Sequence, residues 1–179
     1  MEFGPEFWEF FVRWLHVASG VMWIGLLWYF NFVQTPTVPT IPEELRPAIP
    51  KHIMPVALFW FRWAALSTLV FGLVLSWQNG YIGDALAIGL TSGSERDAMI
   101  GIGMWFGIIM AFNVWFIIWP NQQKVIGLVE ASAEEKPKAA RAAGLASRVN
   151  TMLSIPMLYA MVSAQNLYEI GRASCRERV

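Results

Sequence analysis

The stretch from Phe7 to Gln34, FWEFFVRWLHVASGVMWIGLLWYFNFVQ, constrains the chain more than any other. It is long enough to cross a bilayer, for which about 20 apolar residues suffice. Ionisable groups inside such a span are costly and ordinarily face a bundle interior or a working site. This stretch carries two, Arg13 and His16. At helical spacing His16, Gly20, Trp23 and Leu27 share one face, with Ser19 beside them and Arg13 one turn from the histidine. Small residues next to a tryptophan suit a flat ligand or cofactor. A lone histidine in a membrane helix serves equally well as a hydrogen-bonding link between helices.

Two further runs have the same character, 55–78 and 98–119, and a shorter, less apolar one covers 149–168. With the first run taken as 7–34, the expected architecture is all-α. It is a polytopic membrane protein with four transmembrane helices in a bundle, one domain over 1–170. Hydrophobic residues make up 56% of the chain and ten are tryptophan, the ring type that gathers at bilayer interfaces. The N-terminus lacks a positive leader and the first run is too long for a signal peptide, so it reads as a retained span. Residues 35–55 hold six prolines, which predicts an extended connection. Pro120 is expected to end the third helix and Pro156 to kink the fourth. Ser94 and Asp97 form an imperfect capping box. Gly103 and Gly107 make a GxxxG pair suited to close helix approach. The last residues, 171–179, follow no pattern set by the rest and read as a non-native or scar tail.

Lysines and arginines are in excess between 120 and 148, which places that loop in the cytoplasm and both termini in the periplasm. In this topology Arg62 and Asn113 lie near the cytoplasmic side, in a layer with Asn31, Ser154 and Tyr159. Arg13 and His16 lie in the other half. His52 falls at the cytoplasmic edge, about 20 Å from His16 along the membrane normal, too far for both to ligate one haem. Arg62 could also reach the headgroups, and Asn113 could be simple interhelical glue.

The sequence contains no phosphate loop, dinucleotide fingerprint, HExxH or GxSxG motif. Its single cysteine, Cys175, excludes a disulfide frame and a CxxCH haem attachment. No basic patch with interleaved aromatics points to nucleic acid. The remaining constellation is histidine, arginine and aromatic rings. It suits His16 as the axial ligand of a haem b with arginine for its propionates, or a small planar anion held between rings.

Three strings, WLHVASGVMWIGLLWYFNFVQTP, KHIMPVALFWFRWAA and ASRVNTMLSIPML, resemble the membrane domain of PuuD-type urate hydroxylase, the bacterial membrane-bound urate oxidase. The resemblance spans most of residues 10–165. It implies oxidation of urate toward 5-hydroxyisourate in the bacterial inner membrane. Electrons would pass to a cytochrome c, a domain that full-length members carry C-terminally and that has no counterpart here. Under that expectation His16, Arg62, Asn113 and Tyr159 would be catalytic. His16, Arg13 and Trp23 would bind the cofactor, with His16 its metal ligand. A looser resemblance, through His16, Trp23, Gly25 and Tyr29, is to HemJ-type protoporphyrinogen oxidase, small membrane proteins associated with haem b. The expectation from a different class is a non-catalytic membrane subunit whose polar residues only fix packing.

Overall fold

The computed structural model describes residues 4–176, and among them every regular element is helical. Four long helices dominate: α1 (Pro5–Thr40), α2 (Ile49–Gln78), α4 (Glu95–Val125) and α5 (Glu135–Arg176). A short helix, α3 (Ile82–Leu86), lies in the connection between α2 and α4. The chain runs up and down, so each long helix is antiparallel to the next. α1 packs chiefly on α2 and α4 on α5, while contacts of α2 with α4 and of α1 with α5 close the bundle. One end of the bundle gathers the α1–α2 and α4–α5 connections. The other carries the start of α1 and the α2–α4 connection.

Helices α1, α2 and α4 are each long and apolar enough to cross a membrane. Their outward surface matches that reading: Val21 is 70% and Phe116 68% exposed. A water-soluble bundle rarely presents so continuous an apolar surface.

The helices extend well past the expected ends, and the prolines explain why. Pro36, Pro55 and Pro120 each follow a widened π-turn by two residues: Tyr29–Gln34, Ile49–Ile53 and Asn113–Ile118. Within a regular helix a proline ring strikes the carbonyl four residues earlier. Those carbonyls belong here to Phe32, Lys51 and Phe116, each inside its π-turn, where the wider ring of atoms draws the carbonyl aside. Each proline then occupies the first turn of a new helical segment, where its missing N–H is not needed. Pro120 therefore does not end α4. The segment expected to be extended after Gln34 continues as helix to Thr40, and α2 begins at Ile49 rather than Pro55.

The fourth helix differs most from its expected 149–168. It runs 42 residues, about 63 Å, roughly twice the hydrocarbon thickness. Its buried stripe is Ala139, Ala143, Ala146, Asn150, Ser154, Met157, Ala160 and Ala164, at helical spacing and almost all small. Small residues let backbones approach closely, so packing holds a helix that is not apolar enough to stand alone in lipid. Pro156 sits within it. Residues 171–176 continue α5, and 177–179 of the expected tail lie outside the described residues.

A reciprocal capping box opens α5. The Ser132 N–H donates to Glu135 Oε2 at 2.9 Å, and the Glu135 N–H donates to Ser132 Oγ at 3.2 Å. Hydrogen bonding to the Ser132 N–H first, and to its side chain second, holds the Glu135 carboxyl below its ordinary range. A depressed carboxyl stabilises the fold above its unfolded pKa and loses that contribution as pH falls through its folded one. Ser132→Ala keeps the N–H bond and removes the side-chain one, so it is expected to raise the Glu135 pKa part of the way toward its ordinary value. The first turn of α5 then frays at a higher pH than in the parent, as an NMR titration of Glu135 would show.

Candidate functional site

Polar side chains gather at three levels of the bundle. At the end holding the α1–α2 and α4–α5 connections, all four long helices line a cavity of about 120 Å³. Its walls include Phe30, Leu58, Phe61 and Ile118, and its polar groups are Asn31, Gln34, Thr35, Gln122, Ser147 and Arg148. Four of these residues, Phe30, Asn31, Gln34 and Ile118, belong to π-turns, so the widened turns shape the space. Asn31 is spoken for: its Nδ2 donates to the Leu27 carbonyl at 2.9 Å and to Ser147 Oγ at 2.8 Å. The two glutamines are not. Gln34 Oε1 and Gln122 Oε1 are buried and accept no hydrogen bond from the protein. Buried acceptors without donors are uncommon, and two of them in one cavity mark a place that suits a donor-bearing guest. The rings of Phe30 and Phe61 meet edge to face at 5.6 Å beside them.

The middle level is a buried amide relay. Asn113 Nδ2 donates to Asn150 Oδ1 at 2.8 Å, and Asn150 Nδ2 donates to the Met110 carbonyl at 2.9 Å. Nearby, Trp28 Nε1 donates to Ser154 Oγ at 2.9 Å. The relay ties α4 to α5, and the Trp28 bond ties α1 to α5.

At the opposite end, His16 lies in the seam between α1 and α2. Its Nδ1–H donates to the Thr68 carbonyl at 2.8 Å. The ring rests against Gly72, where an added Cβ would meet Cε1 at 2.8 Å. Arg13 pairs with Glu9 at 2.7 Å on the exposed side. Further out, the Arg96 guanidinium lies 5.5 Å from the Tyr81 ring centroid. Burial pushes the Tyr81 hydroxyl above the ordinary phenol range.

The α4–α5 half of this bundle matches the family model described as urate oxidase N-terminal, over residues 85–174. The chain belongs to that family. No curated protein and no solved structure matches it. The urate oxidase N-terminal match takes in Asn113, Asn150, Gln122, Ser147 and Arg148, so the relay and one side of the cavity lie inside it.

The geometry redistributes the residues expected to act together in this family member. Trp23 is 1% exposed and packed in the core, and it does not line the cavity. The face of His16, Gly20, Trp23 and Leu27 is covered by α2, with Gly20 against Thr68 and His16 against Gly72. The Nδ1 bond to a carbonyl is one that metal-bound histidines also make. The small-residue face beside it is filled by a helix, so the residues present do not form a slot for a haem. Among the described residues no cluster of three metal-ligating side chains occurs.

Arg62 is half-buried and does not line the cavity. Its guanidinium stacks 3.8 Å from the Trp119 ring centroid and 5.4 Å from that of Phe59, joining α2 to α4. Tyr159 is 63% exposed. The inward register of α5 runs through Asn150, Ser154 and Met157, which turns position 159 outward. His52 is exposed beside the α1–α2 connection. His16 and Asn31 are about 22 Å apart along α1, so one small ligand touches one end only.

Gln34, Gln122, Ser147 and Asn150 are polar residues that spacing alone did not single out. Their signal is nonetheless present: Gln34 and Gln122 each lie two residues from a proline that follows a π-turn. A strongly polar amide kept beside a break in an apolar run is the pattern to look for.

Proposed function

We propose that the chain forms the membrane part of a urate-oxidising protein. Membership of the urate oxidase N-terminal family carries this reading. A cavity with unpaired amide acceptors and aromatic walls supports it. The reaction adds the oxygen of water to urate: urate and one water give 5-hydroxyisourate, two protons and two electrons. The electrons leave singly to an acceptor of the cytochrome c kind, two of which are reduced per urate. The chain sits in a bacterial inner membrane, with the cavity toward the cytoplasm and both termini toward the periplasm. The excess of lysine and arginine in the α4–α5 connection supports that orientation.

The test is urate oxidation by the detergent-purified chain with oxidised cytochrome c added. The expected result is loss of urate absorbance in step with cytochrome reduction, at two cytochromes per urate. A second reading is favoured by the tight His16–Gly72 seam: a membrane subunit whose polar residues only hold helices together. Urate left intact while the protein remains folded, across added one-electron acceptors, selects that second reading.

A further inference from the structure

We propose that Gln34 and Gln122 read the ring N–H edges of the substrate, and that Arg148 balances its charge at the cavity rim. This rests on the urate-oxidising reading and adds where and how the substrate is recognised. Both glutamine oxygens are buried without a donor, and both line the same cavity from different helices, α1 and α4. Asn31 cannot satisfy them, because its amide hydrogens are committed to Leu27 and Ser147. A guest must therefore bring at least two N–H or O–H donors. The apolar walls, Phe30, Leu58, Phe61 and Ile118, favour a flat ring over a flexible polar molecule. Arg148 borders the cavity, is exposed, and has no ion-pair partner among the described residues. It adds a positive charge without closing the space. The class that meets all three conditions is a planar, singly anionic heterocycle with several ring N–H groups.

A site built on hydrogen-bond acceptors discriminates strongly against analogues that lack the donor, since its own buried groups are then left unpaired. The four monomethyl urates each lack one ring N–H and probe this directly. Titration calorimetry on the full chain in detergent should show two of the four binding about tenfold or more weakly than urate, as expected for one lost hydrogen bond of about 1.4 kcal/mol. Gln34→Met should erase the penalty at one methyl position and Gln122→Met at the other, with urate itself weakened in both. Arg148→Gln, at an exposed position, should weaken urate and its salt dependence while leaving the methyl pattern in place. Should the methionine variants not fold, the monomethyl series on the parent chain and Arg148→Gln decide the matter.

Equal binding of all four monomethyl urates, or a methyl pattern unchanged in both glutamine variants, overturns the proposal. The two readings fail separately. Urate oxidation with the same KM in Gln34→Met and Gln122→Met removes this site and leaves the activity. Binding with the expected methyl pattern but no oxidation removes the activity and leaves the site.

Discussion

Asn150→Leu is expected to destabilise the bundle by about 2 kcal/mol, more than any other single polar change at its centre. Asn150 is fully buried and engaged at both ends of its amide. Leucine is close in size, so the change acts through hydrogen bonds rather than volume. It leaves the Asn113 amide without its acceptor and takes a donor from the Met110 carbonyl. Each orphaned buried group costs about 1–3 kcal/mol in water-soluble proteins. Side-chain hydrogen bonds between membrane helices average nearer 0.6 kcal/mol, which pulls the sum down. Removing the other partner as well tests the mechanism. With Asn113→Ala in the same chain, the cost should fall below the sum of the two single changes, because only one relay exists to lose. Unfolding in mixed micelles measures all three variants. Strict additivity would mean that the two amides do not act on one another.

The largest effect of a single added carbon is expected at Gly101. An ideal Cβ there would collide with the Ala85 carbonyl of α3. Backbone atoms cannot rotate away as a side chain can. Gly101→Ala must push α3 off α4 or shift α4 itself, at about 3 kcal/mol, the upper part of the range for overpacking. The displacement also breaks the bond from Trp105 Nε1 to the Leu86 carbonyl, 3.1 Å in the parent. Gly107→Ala is the matched control on the same helix. Its Cβ would meet only Met157 Sδ, at an ordinary 3.8 Å. Protease cutting in the α2–α4 connection should accelerate sharply for Gly101→Ala and hardly at all for Gly107→Ala. Equal behaviour of the two would contradict the close packing of α3.

These two positions show what sequence reasoning reaches. The GxxxG pair was legible as a contact surface, and Gly103 and Gly107 do face Met161 and Met157 of α5. Gly101 was not, because its contact is a carbonyl of a five-residue helix that no periodicity announces. The all-α class and the three apolar spans follow from run length alone. The full reach of α5 does not. Its first turns, 138–147, are Ala-rich and read as a short helix of their own within a polar connection, and only the continuous stripe from Ala139 to Ala164 joins them to 149–168 as one helix.

The prolines taught a similar lesson. Pro36 and Pro120 were read as breaks and Pro55 as a helix start, whereas a π-turn ahead of each lets the helix continue. The same widened turns frame the cavity, so the error in the helix ends and the failure to single out Gln34 and Gln122 have one cause. Depth along the helices put Asn31 and Asn113 in one layer, whereas Asn31 lies at the cavity and Asn113 in the amide relay. Both do bond to α5, Asn31 through Ser147 and Asn113 through Asn150. Depth without rotation placed Tyr159 in that layer, but it turns outward. Spacing also put His16, Gly20, Trp23 and Leu27 on one face, but it could not say that a neighbouring helix fills it.

We propose that this bundle holds urate. The measurement that tests it most directly is equilibrium binding of urate to the purified chain in detergent, without any electron acceptor. One saturable site per chain, competed by xanthine and lost in the double variant Gln34→Met/Gln122→Met, is the predicted result. A folded chain that takes up no urate above the detergent background would contradict it.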